Sequence, residues 1–186
     1  MNAPVMERGV MTLARVFDPA RIDAARNAIW SVRPNHRIDD RVTGSQTPHI
    51  FHSFIVDQCG GDVRLIFDEL EVLANNMTGA RRRKFTRQAI QYPRGGGFFG
   101  EHQHDLEPQK LGLILMASEY GRDYQSGTVR FKIDGEWQEV PMSMGDVCVF
   151  RHDLPHEITP VDPQVPLDWS RSDGRWTFIL SIPGAN

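Results

Sequence analysis

The chain has 186 residues, 40% hydrophobic and 24% charged, with a formal net charge of −3. That length and balance suit a single globular domain with one substantial core. They give no electrostatic case for a nucleic-acid or anionic-membrane partner. One basic run, Arg81-Arg82-Arg83-Lys84, has only Arg87 near it and reads as a solvated turn. Cys59 and Cys148 are too few and too far apart for a disulfide framework or a four-cysteine zinc site, so a reducing cytoplasm is expected. The first 15 residues lack a signal-peptide apolar core, and no apolar run reaches membrane-spanning length.

Residues 1–15 read as a loose arm or a short strand. Asp18-Pro19 pairs an N-cap with a proline at the first helical position, and Ile22, Ala25 and Ile29 follow at helical spacing. A helix over 19–31 results, ended by Pro34. Residues 35–48 are polar and read as a loop. The apolar stretch Ile50 to Val56 is either a strand or an irregular packed segment. Asp62 opens a second helix, with Ile66, Leu70, Leu73 and Met77 on one face and Gly79 as its C-cap.

The second half changes to strand patterns. Phe85 to Tyr92 ends at Pro93. Leu111 to Ala117 is continuously apolar, as in a strand covered on both faces. Val129, Phe131 and Ile133 alternate with charged residues, and Asp134-Gly135 is a two-residue hairpin turn into Trp137 to Val140. Asp146 to Phe150, Glu157 to Val161 and Trp176 to Ile182 complete the set. Short strands with turn signals between them favour a barrel or double-sheet jelly roll, with the early helices packed outside it. Residues 162–174 are an insertion before the last strand. They are expected to border the barrel mouth.

Chemistry concentrates at Gly95-Gly96-Gly97-Phe98-Phe99-Gly100-Glu101-His102-Gln103-His104-Asp105. Two histidines at i and i+2 on a strand point to the same face, so His102 and His104 can share an ion. Imidazole suits iron, zinc, nickel and copper. A third histidine, His156, follows the 146–150 strand and a short turn. His152 is assigned no role, because Pro155 argues against a helix presenting both. His49 and His52 have no carboxylate at useful spacing and read as packed or exposed.

The order of these features resembles the double-stranded β-helix of the iron(II)- and 2-oxoglutarate-dependent oxygenases. The resemblance spans roughly residues 86–182. It rests on Tyr92, the glycines at 95–97, His102, Gly145-Asp146, His156 with Pro160-Val161, and Arg175 with Thr177. It implies an α+β fold: a jelly roll with flanking N-terminal helices. One domain over 1–186 is expected, with 1–84 as mainly helical and loop support and 85–186 as the core carrying the metal site.

One position departs from that pattern. The family's His-x-Asp would need an aspartate where this chain has His104. Three resolutions stay open: His104 is the third ligand, Asp105 swings in through a bulged turn, or the protein supplies only two ligands. The resemblance further implies that Arg175 and Thr177, which share one strand face, grip the distal carboxylate of 2-oxoglutarate, with Tyr92 adding a phenol. The implied activity is oxidation of a small molecule's C–H bond by O2, most simply a hydroxylation, with Fe(II) and 2-oxoglutarate as cofactors. His-x-His also resembles the first cupin motif, with Gly96 ahead and Glu107 behind. A cupin-type dioxygenase or isomerase without 2-oxoglutarate is therefore the alternative, and a non-catalytic metal- or ligand-binding barrel a further one.

Overall fold

The computed structural model describes residues 7–32, 36–41, 47–78, 85–106 and 110–181. Gly79, the 81–84 basic run and Glu107 fall outside them. Among them, besides two single-turn 3-10 helices at Glu7–Gly9 and Val56–Gln58, two α-helices and eleven strands follow in chain order. They are β1 (Val10–Leu13), α1 (Pro19–Ser31), β2 (His36–Arg41), β3 (His49–Ile55), α2 (Asp62–Thr78), β4 (Thr86–Pro93), β5 (Gly97–His102), β6 (Leu111–Met116), β7 (Val129–Ile133), β8 (Glu136–Glu139), β9 (Val147–Arg151), β10 (His156–Val161) and β11 (Gly174–Ser181).

All strand pairs are antiparallel, and the ladder runs β1-β9-β6-β11-β4-β3-β5-β10-β7-β8, with β2 on β3. It curls over so that its two halves face each other: Phe131 on β7 and Phe150 on β9 meet with ring centroids 4.9 Å apart. β3 gives one edge to β2 and divides the other, His49 and Ile50 pairing β5 while residues 52–55 pair β4. This is a jelly roll.

α1 forms as its sequence dictates. The Asp18 carboxylate accepts a hydrogen bond from the Ala20 N–H at 2.7 Å, and Ile22, Ala25 and Ile29 are buried. On α2 the buried face is Val63, Ile66, Phe67, Leu70 and Ala74; Leu73 and Met77 are only partly covered. Both helices pack on the outer face of the first half-ladder, against Leu113, Leu115, Val147, Val149, Trp176 and Phe178. Alternate residues of the same strands, Ile114, Cys148 and Phe150, fill the barrel interior. That two-sided burial explains the unbroken apolar run of β6.

Two expectations need correction. The stretch 35–48 is not simply a loop, since it carries β2. The reason is backbone pairing: six successive residues register against β3 without an apolar pattern to announce them. The insertion, residues 162–173, contributes no residue to the lining of the histidine cavity. It packs on the glycine turn instead. The Gly95 N–H donates to Asp162 O (3.1 Å), Arg94 pairs with the buried Asp162 (2.6 Å), and Trp169 lies 4.7 Å from His52.

Gly95 sits at φ +93, and a Cβ there would overlap the Leu167 backbone. Neither strain can relax without moving the insertion. Gly95→Ala should therefore cost roughly 2–5 kcal/mol, read as a lower urea midpoint at unchanged slope. A midpoint within error of the parent would contradict this.

Candidate metal centre

β5 and β10 bring the first two histidines together, because His102 and His156 are register partners across that ladder. Their rings lie 4.2 Å apart by centroid. β5 ends at His102, so His104 belongs to the irregular segment beyond it. Strand periodicity therefore does not place His104. A tertiary contact does: its N–H donates to the His152 carbonyl at 3.1 Å. Ligand atoms of His102, His104 and His156 lie within 4.8 Å of one another, so the trio could hold a metal ion.

The tautomers suit an ion. Nδ1 of His102 lies 2.8 Å from Gly100 O, and Nδ1 of His156 lies 2.8 Å from Leu154 O. Each Nδ1–H donates to the carbonyl two residues earlier and leaves the Nε2 lone pair for a ligand. Burial lowers the His102 pKa to about 4 and, with His102 next to it, the His156 pKa to about 3. Both are neutral imidazoles at pH 7. His104 is more exposed; its own desolvation lowers it, and Asp105 opposes that. Asp105 is exposed and outside the cluster.

These shifts carry a stability consequence. With unfolded values near 6.5, the metal-free fold binds fewer protons than the unfolded chain between pH 6.5 and about 3. The contribution is complete above pH 6.5 and is lost as pH falls through that window, at up to about 1.4 kcal/mol per pH unit for each histidine. Urea melts of the metal-free protein should show a shallower acid loss in His156→Leu than in the parent. Equal slopes would remove His156 from the account.

The histidines line a cavity of about 330 Å³. Phe51, Ile90, Phe99, Ile114, Phe150 and Ile158 make its walls apolar, while Tyr92 and Thr177 add hydroxyls. Burial pushes the Tyr92 phenol up, and Thr177 and the Arg175 charge pull it partly back. Thr177 is 1% exposed, and its Oγ1 makes no well-formed hydrogen bond, despite lying close enough to affect Tyr92.

Arg175 faces inward beside them, at 2% exposure. Its Nη1 donates to Tyr124 Oη at 3.0 Å. Nε and Nη2, the edge that grips a carboxylate with two parallel bonds, have no partner among the described residues. A buried guanidinium without an anion is costly, so this edge could receive one. Arg175 also lines a second cavity of about 670 Å³, with Tyr124, Gly127, Asp146 and Thr159.

Two further histidines come near without joining the ligands, one of them, His152, in a place the sequence did not indicate. His152 lines the cavity, and its ring stacks on His104 (4.2 Å, 15°). His49 stacks on Phe51 and depresses His102. Neither belongs to the ligand-atom cluster.

No family model matches the sequence, and no curated protein matches it. Solved structures do. A Pseudomonas putida prolyl-4-hydroxylase aligns over 96% of this chain and 94% of its own, at 17% identity and TM-score 0.67. A Burkholderia pseudomallei oxidoreductase of the 2OG-Fe(II) oxygenase family aligns over 94% and 84%, at 18% identity and TM-score 0.63. The fold is that of the 2OG-Fe(II) oxygenases. The non-haem α-ketoglutarate-dependent epimerase SnoN, from nogalamycin biosynthesis, shares it over 92% of this chain and 76% of its own, at 12% identity and TM-score 0.68. The oxygenase fold thus serves more than one reaction in these neighbours, and at such identities it names no substrate. Among the described residues, no helix is long and apolar enough to cross a membrane.

Proposed function

We propose that the chain is a non-haem Fe(II)- and 2-oxoglutarate-dependent oxygenase that oxidises a C–H bond of a small molecule with O2. One observation carries this reading: three convergent neutral imidazoles share a barrel with a buried guanidinium whose carboxylate-binding edge is unpartnered. The residues fit both groups. His102, His104 and His156 would hold iron, and Arg175, Thr177 and Tyr92 would receive the cosubstrate's distal carboxylate. Iron(II) and 2-oxoglutarate, when bound, would supply the electrons that activate O2, which is the oxidant.

The chain's own residues do the rest. Neutral imidazoles bind without first losing a proton. Three of them leave the site one charge more positive than two histidines with a carboxylate, which favours an anionic cosubstrate. Arg175 neutralises that anion in an otherwise apolar interior, and Thr177 can donate to it. Phe51, Ile90, Phe150 and Ile158 keep water away from the reacting end. Phe131 and Phe150 pack on His156 at 5.6 and 4.7 Å and fix its ring.

A second reading has one observation in its favour. Arg175 lines the 670 Å³ cavity and not the histidine cavity. A cupin-type metal-dependent dioxygenase or isomerase would need the histidines without the arginine.

Anaerobic Fe(II) titration with and without 2-oxoglutarate separates the two. The proposed oxygenase gives a visible charge-transfer band only with both, and 2-oxoglutarate raises its melting temperature above that with iron alone. No band and no thermal shift would overturn it. In the same assay Asp105→Ala should bind iron within about 2-fold of the parent, whereas His104→Ala should lose at least about 100-fold, the upper end of what an outer-shell partner is worth. The reverse result would make Asp105 the ligand.

A further inference from the structure

We infer that His152 is a positioning residue that holds His104 in the ligand set, through the turn that also orients His156. This rests on the proposed histidine site and goes beyond it.

The need for such a residue is structural. His102 and His156 are fixed by the β5–β10 ladder, but the ladder stops at His102. Residues 103–105 belong to no strand. A ligand on an irregular segment keeps its place only through contacts from elsewhere. His104 takes two of these from one residue: the backbone bond to His152 O, and a near-parallel ring stack at 4.2 Å.

His152 is itself well anchored. It follows β9, and its N–H donates to Lys110 O at 3.0 Å. The turn closes through Leu154 N–H to Arg151 O (3.1 Å) and an Arg151–Asp153 ion pair. Leu154 then supplies the carbonyl that accepts the His156 Nδ1–H. Residues 151–155 thus set two of three ligands at once. The stack also places a flat, rigid ring behind His104, so His104 cannot swing outward without losing it. Nothing here requires the His152 nitrogens to bind metal. The contact is between ring faces, so another flat ring would serve.

The test uses Co(II) as a spectroscopic probe on the full chain, titrated anaerobically into the parent, His152→Ala and His152→Phe. Circular dichroism and melting temperature of the metal-free proteins serve as fold controls. His152→Ala should weaken Co(II) binding by about 10- to 100-fold, the range for loss of an outer-shell partner, and alter the d–d spectrum. His152→Phe should restore affinity to within about 3-fold of the parent, with the parental spectrum. Parental affinity and spectrum in a folded His152→Ala would overturn the inference. So would His152→Phe as weak as His152→Ala in a folded protein, because the imidazole nitrogens would then be responsible. If His152→Ala does not fold, the His152→Phe result decides alone. A parent in which His102→Ala leaves Co(II) binding unchanged would instead remove the histidine site itself. The two failures are therefore distinguishable.

Discussion

Arg175→Met should raise the 2-oxoglutarate concentration for half-saturation by about 100-fold or more, without lowering the melting temperature. A hydrogen bond to a charged group contributes roughly 1.5–3 kcal/mol. Two of them on one fork amount to about 3–6 kcal/mol, and each 1.4 kcal/mol is tenfold in affinity. The metal-free, cosubstrate-free protein feels the opposite effect. There the guanidinium is 2% exposed, bonded through Nη1 to Tyr124 and unpartnered at Nε and Nη2. Methionine fills similar volume without a buried charge, so the fold should be as stable or more so. Arg175→Lys should fall between, keeping the charge and losing the fork. Calorimetric titration and a thermal melt on each variant decide the matter. An unchanged half-saturation would move the cosubstrate away from Arg175. A large fall in melting temperature would make Arg175 a structural residue.

The second large effect belongs to His156. Its removal should lower iron affinity at least about 100-fold and abolish any iron-dependent turnover. The choice of replacement matters. Alanine leaves a void between Phe131, Phe150 and His102, at a cost of about 2–4 kcal/mol typical of large-to-small core changes. Leucine fills that space and separates lost metal from lost packing. His156→Leu should melt near the parent when both are metal-free, and only the parent should gain stability from added Fe(II). Equal gains in both would place the iron elsewhere.

Much of this was legible in the residues, for identifiable reasons. Asp18-Pro19 with Ile22, Ala25 and Ile29 specifies α1 by local rules alone. Leu111 to Met116 announces a doubly covered strand, and Asp134-Gly135, with φ of 54° and 88°, is a turn only such a pair favours. The convergence of His102 and His156 follows once β5 and β10 are neighbours. What was hidden depends on tertiary pairing. β2, His-Arg-Ile-Asp-Asp-Arg, has no strand periodicity and forms by registering against β3. The insertion was placed by its position before β11, yet its partners are Arg94, Gly95 and His52, none of them near it in a sequence pattern. His152 was set aside by an argument about helices. The structure presents it from a turn, where spacing along the chain says nothing about which side chains meet.

The divided edge of β3 has a mechanical meaning. Along that strand the two facing halves of the barrel are joined by main-chain bonds, as pages are joined at a spine. At the opposite side, β1 and β8 are the ends of the ladder, and what meets between the halves is ring against ring, Phe131 against Phe150. Bonds along a spine resist sliding, whereas two rings that only pack against each other carry no such directional tie. Phe131 and Phe150 thus lie at the fore-edge of the book, closed by side-chain packing and not by a ladder. His156 touches both rings of that fore-edge. A side chain bound to an ion there would act as a clasp, so loading the centre should quieten the motion of the whole shell and not only of its ligands.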